Sequence, residues 1–231
     1  QPGETLVGSG PVAAGDTAVA KLPLGSLWWC RAIEQLFAMT PSLEEGHGAR
    51  AQELIELFAR ARPSRDAITA YAAASANLIA YTAFLGDRDH AFAFLIFLET
   101  LAEPLRRADL LLNAWTASAQ GWFCHSLESD LQGTLQHAQT AVKAFEQAQA
   151  QHGLCRAQIL QGLALASVGA YVDGEAAVRS GYGLAQQIRD ASLSAFGQAH
   201  LAWVLSLRND EFAQDEALLL AERALAEPGG S

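Results

Sequence analysis

The chain has 231 residues, 51% of them hydrophobic, and a formal net charge of −10. That is enough apolar material for one large domain or an extended repeat array, and it excludes global disorder. The acidic balance, with no basic cluster longer than Arg106-Arg107, argues against a phosphate backbone as partner, so no nucleic acid is expected.

At the start, Gly8-Ser9-Gly10-Pro11-Val12-Ala13 spells G-x-G-x-x-A, the opening of a dinucleotide-binding βαβ unit. That fingerprint needs a strand before it, a helix after it and an acidic residue ending a second strand about 20 residues on. Glu4 to Val7 is too short for a secure strand, and Ala13-Ala14-Gly15-Asp16 breaks a helix within one turn. Around position 30 the sequence is helical. No cofactor is expected, and 1–21 reads as a flexible leader.

From Leu22 onward the helical period dominates. It predicts ten helices, over 26–39, 49–62, 65–85, 90–103, 104–127, 131–151, 154–169, 171–190, 191–209 and 211–227, with a tail at 228–231. Proline or glycine marks several of the ends, at Pro41, Pro63, Gly86, Gly153 and Pro228. No segment reads as a strand. Residues 67–86 carry no charge for 20 residues, long enough to span a bilayer. They are Ala-rich and include Thr69, Ser75, Asn77 and Thr82, so a helix buried between protein neighbours is expected, and no membrane. Cys30, Cys124 and Cys155 are odd in number and far apart, which fits free thiols and a cytoplasmic location. The chain starts at Gln1 and holds a single Met, so it reads as a piece of a longer protein.

The helix pairs repeat. The turns AFLGD (83–87), HSLES (125–129), ASVGA (166–170) and LSLRN (205–209) follow one another at about 42, 41 and 39 residues. A looser fifth copy lies at 24–62. The clearest unit is GLALASVGAYVDGEAAV, 162–178. It places small Gly162 in the first helix, Ala164 and Leu165 as packers, Gly169 at the helix end and Tyr171 two residues on. Gly174-Glu175 then supply a small and an acidic residue to the second helix. Small residues let two antiparallel helices approach closely, and Tyr171 is expected to fill the gap between repeats.

This unit resembles a tetratricopeptide repeat. The likeness covers about 24–226, most strongly 110–226. It departs from the family pattern in its period, near 40 rather than about 34, and in lacking most closing prolines. Copy 3 offers Leu131 in place of the aromatic, and copy 5 offers Phe212. Long-period repeats of this kind are found C-terminal to the catalytic modules of large bacterial signalling ATPases, kinase-linked ATPases and ATP-dependent regulators. The resemblance implies an all-α fold, a right-handed α-α superhelix of about five helix pairs over 22–227, with a groove lined by the first helices.

In copy 3, Trp115, Ser118, Trp122 and His125 fall at i, i+3, i+7 and i+10, on one helix face. If Gly121 aligns with Gly162, that face matches the family's groove-lining positions, and Arg156 and Ile159 continue it in copy 4. An exposed aromatic and polar stripe suits recognition of a protein or peptide. The alternative is that these tryptophans pack between helices. Trp28 and Trp29 are adjacent and must point to different faces, one of them to the core, and His200 and Trp203 sit three apart in copy 5. No zinc spacing, P-loop or nucleophile motif is readable, so neither metal nor catalysis is expected. The expected role is a non-catalytic interaction scaffold, docking a partner protein or another domain of its own chain. The end repeats offer a surface for homodimerisation. A solenoid that senses a small effector for an ATP-dependent regulator is the alternative.

Overall fold

The computed structural model describes residues 11–38 and 47–226. Among them are eleven α-helices and no strand. In chain order they are α1 (Pro11–Lys21), α2 (Leu27–Ala38), α3 (His47–Arg60), α4 (Ile68–Phe84), α5 (Arg88–Ala102) and α6 (Leu110–Phe123). Then come α7 (Leu131–Gln147), α8 (Gln151–Ser167), α9 (Tyr171–Gln187), α10 (Ala191–Ser206) and α11 (Glu211–Ala226). A 3₁₀ turn at Arg65–Ala67 leads into α4, and a π turn at Cys124–Glu128 closes α6.

The short connections have a common chemistry. Four helices end on one left-handed residue, Gly86, Gln149, Gly169 or Arg189. At the first, the Gly86 N–H donates to the Ala83 carbonyl at 3.0 Å and the Asp87 N–H to the Thr82 carbonyl at 2.8 Å. The same pair of bonds recurs at Gln149-Ala150, Gly169-Ala170 and Arg189-Asp190. This paired closure satisfies carbonyls that a helix end leaves free. Aspartate also starts several of the helices. Asp87, Asp130, Asp190 and Asp210 each accept from the N–H three residues on, at 2.8–3.2 Å.

The even-numbered helices form one contiguous row, with α2 against α4, α4 against α6, α6 against α8 and α8 against α10. The odd-numbered helices α5, α7, α9 and α11 pack beside their even neighbours. Between α2 and α5 the core is aromatic. Phe58 stacks on Trp29 (6.1 Å) and Tyr71 (4.5 Å) and meets Phe94 edge-on (5.3 Å). Between α8 and α9 it is held together by the absence of side chains. A Cβ on Gly162 would lie 2.6 Å from the Gly174 carbonyl oxygen.

The charge-free segment is taken up by this packing. Ala70, Ala72, Ala73, Ala74 and Ala76 are buried, and α4 contacts α2, α5 and α6. Among the described residues one helical stretch, Arg65–Phe84, is long and apolar enough to cross a membrane, and 72% of its apolar window lies inside the protein. Of the adjacent tryptophans, Trp29 is core and Trp28 is exposed.

Several expectations need correction. Residues 11–21, read as part of a flexible leader, form α1. Gly15 does not break that helix. It brings α1 onto α2, since a Cβ there would sit 2.8 Å from the Leu36 side chain, and Arg50 of α3 binds Asp16 at 3.0 Å. The G-x-G of the fingerprint lies outside the described residues, so its helix is present but no strand accompanies it among the described residues. α6 begins at Leu110 and not at Pro104, because Asp109 caps it through the Leu112 N–H at 3.0 Å. The break expected at His152-Gly153 falls three to four residues earlier, at Gln149. Gly153 is inside α8, where a Cβ would meet the Phe145 ring at 2.3 Å. Tyr171, expected to fill a gap between repeats, is only partly covered. It stands 40% exposed at the start of α9.

Candidate functional site

A cleft of about 490 Å³ opens across the row of even-numbered helices. Five segments far apart in sequence line it. α2 supplies Arg31 and Glu34 at i and i+3, and α4 supplies Asn77. α6 supplies Trp115, the α7–α8 turn supplies Gln149 and Ala150, α8 supplies His152 and Arg156 at i and i+4, and the start of α10 supplies Asp190 and Ser192.

The carboxylates of this cleft already have partners. Arg31 donates to Glu34 at 2.7 Å. Burial raises the Glu34 carboxyl above its usual range, and the Arg31 bond opposes that shift. Asp190 accepts from the Leu193 N–H at 2.9 Å, and its second oxygen lies 3.5 Å from His152 Nε2. Arg156 differs. Its side chain is 8% exposed. Nε has no hydrogen-bond partner, and among the described residues no carboxylate lies within salt-bridge distance of the guanidinium. Burial lowers its pKa to about 10, so it keeps its charge at neutral pH. Asn77 is the complementary case. Its Nδ2 donates to the Glu34 carbonyl at 3.1 Å, and its buried Oδ1 has no partner.

Next to Arg156 stands an aromatic cluster from α6 and α10. The guanidinium lies 5.2 Å from the centre of the Phe196 ring. Trp122 meets Phe196 (5.9 Å), His125 (6.0 Å) and His200 (6.4 Å) edge-on. His200 donates from Nδ1 to the Phe196 carbonyl at 2.7 Å, which leaves Nε2 as the acceptor of the neutral ring. Burial lowers the pKa of both His125 and His200, and for His200 the nearby His125 and Arg156 add to the effect.

The structure therefore gathers Trp122, His125 and Arg156 in one place, with Trp115 on the cleft wall beside them. The tryptophans are not an exposed stripe. Trp115 is 8% and Trp122 6% exposed, and Trp115 packs edge-on against Phe145 at 4.8 Å. Ser118 and Ile159 are core positions, at 1% and 0%. Trp203 is exposed and His200 half-buried. Among the described residues no group of three or more His, Cys, Asp or Glu is placed to hold a metal ion. Arg31, Glu34, Asn77, His152 and Asp190 escaped the sequence reading. They come from different helix pairs and share no local spacing. The one available signal was a charged or amide residue set among small apolar neighbours, as Asn77 is in α4.

No family model matches the chain, and no curated protein matches its sequence. The functional reading therefore rests on the cleft itself.

Proposed function

We propose that this chain is a non-catalytic binding module, a tetratricopeptide-like right-handed superhelix belonging to a larger cytoplasmic signalling or regulatory protein. Three features support the architecture. The even-numbered helices run as one row, the same turn closes successive helices, and glycines draw α8 and α9 together. In such an array the first helices line the inner face, and the ligand binds there.

The observation that carries the reading is that one cleft is walled by α2, α4, α6, α8 and α10 together. Binding there bridges successive helix pairs, which is how a module of this kind reports occupancy to the rest of its chain. The buried tryptophans are unavailable as anchors for a peptide stripe. The effector-sensing reading gains from the size of the cleft, which lies within the ~300–1,000 Å³ of small-molecule sites.

The test is a thermal-shift screen of small acids, amines, sugars and short peptides against the native chain and a cleft-filling Ser192→Trp variant. Compounds that stabilise the native chain and leave the variant unmoved support the proposal, since only binding to the folded state raises the melting temperature. Equal stabilisation of both, or conversion of a hit to product, overturns it.

A further inference from the structure

We infer that the edge formed by the turns after α4, α6, α8 and α10 docks a basic amphipathic helix of a partner protein. The cleft takes no part in this, so the two readings stand or fall separately.

α4, α6, α8 and α10 pack in one row, and each is joined to the next by a return along an odd-numbered helix that packs beside both. They therefore run the same way, and the turns at 85–87, 124–130, 168–170 and 207–210 lie along one edge. Two contacts tie neighbouring pairs together there. Arg88 donates to the Leu127 carbonyl at 3.2 Å, and Arg208 pairs with Glu175 at the start of α9.

Apolar side chains collect on this edge. Phe84 is 76% and Phe212 88% exposed, and Leu85, Phe92, Val168 and Val172 are exposed with them. The returning turns at 103–109, 148–150 and 188–190 expose no large hydrophobic, and only Leu110 stands next to one of them. Single exposed apolar residues need no explanation, but a one-sided set marks an interaction surface.

Charge decides what fits. Asp89, Glu128, Asp173 and Glu211 lie in or just after the same turns and have no ion-pair partner among the described residues. Only Arg88 and Arg208 oppose them in these turns, and Arg208 is taken up by Glu175 and Asp210. A second copy would set these carboxylates against its own, and an anionic lipid surface would be repelled in the same way. A partner whose Lys or Arg residues flank apolar side chains complements both parts of the edge. Successive turns step by the spacing of packed helices, about 8–10 Å, close to the ~11 Å of two α-helical turns. A helix laid along the edge therefore meets successive turns with side chains seven residues apart.

The probe is a fluorescent leucine–lysine peptide with its leucines on one helical face, about 20 residues and roughly 30 Å long, enough to span the four turns. Its controls are the same peptide with glutamate for lysine, and vesicles of phosphatidylcholine with and without phosphatidylserine. The full chain should bind the lysine peptide, less tightly as salt is raised, and bind neither the glutamate peptide nor the vesicles. Phe84→Ser/Phe212→Ser should weaken binding about tenfold or more. Trp28→Ser, on an exposed residue of α2, should leave it unchanged. Should the double variant not fold, Val172→Ser takes its place. A lysine peptide that fails to bind, or a glutamate peptide that binds as well, overturns the proposal. So does equal binding to the native chain and the edge variant, because attraction by net charge alone is indifferent to Phe84 and Phe212. Vesicle binding or dimerisation that is lost in the edge variant overturns it in favour of a lipid surface or a second copy.

Discussion

Gly162 of α8 and Gly174 of α9 face one another so closely that neither tolerates a side chain. A Cβ on Gly162 would lie 2.4 Å from Val178 Cγ2 and 2.6 Å from the Gly174 carbonyl oxygen, and one on Gly174 would lie 2.8 Å from the Gly162 carbonyl oxygen.

Gly162→Ala should therefore destabilise the chain by about 1–3 kcal/mol, the range for overpacking, despite alanine's better helix propensity. Gly183 in α9 is the control. A Cβ there meets nothing within 4 Å, so Gly183→Ala should stabilise by about 0.5–1 kcal/mol. Urea unfolding of the two variants should give shifts of opposite sign. Shifts of the same sign would mean that the close approach is not a constraint.

This pair also shows how much the sequence reveals. Gly162 and Gly174 stand 12 residues apart around a turn, a local pattern that can be read directly. The all-helical fold, the buried fate of 67–86 and the opposed faces of Trp28 and Trp29 follow from periodicity in the same way. The cleft does not. Arg31, Asn77, Arg156 and Asp190 meet only through the stacking of separate helix pairs, and no spacing encodes that. Gly153 illustrates the reverse error. As a residue type it signals a stop, but it serves as a contact for Phe145 while Gln149 makes the turn. A single sequence does not separate glycine needed for its backbone freedom from glycine needed for its lack of a side chain.

Trp122→Ala should cost about 3–5 kcal/mol, as for a buried aromatic, and remove its contacts with Phe196, His125 and His200. Trp28→Ala, on an exposed side chain, should change stability by under about 0.5 kcal/mol. Denaturant titrations of both check this. A Trp28 effect as large as that of Trp122 would point to a packed role for Trp28.

The three thiols should be inert in the native protein. Burial pushes Cys30 up to about 12 and Cys124 and Cys155 each up to about 11, so almost no thiolate exists at neutral pH. A thiol-reactive chromophore should label none of them until denaturant is added, and then all three. Rapid labelling of the folded chain would contradict the burial.

Acidification should weaken the fold before most carboxylates titrate. His125, His137 and His200 have folded-state pKa values below the usual 6.5, because burial disfavours their charged form. The unfolded chain takes up these protons first as the pH falls through 6.5, so stability present above that pH is lost below it. Glu34, raised by burial, acts in the opposite sense at lower pH. Unfolding free energies between pH 8 and pH 5 should fall, and fall less in His200→Gln. An unchanged slope in that variant would remove His200 as a contributor.

Hydrogen exchange of the full chain, with and without a compound that stabilises it, tests the central claim most directly. Binding in the inner cleft predicts that protection rises together in three distant segments, 31–35 on α2, 149–156 across the α7–α8 turn and 190–193 at the start of α10. Protection confined to one segment, or appearing only on α11 and the outer helices, would contradict it.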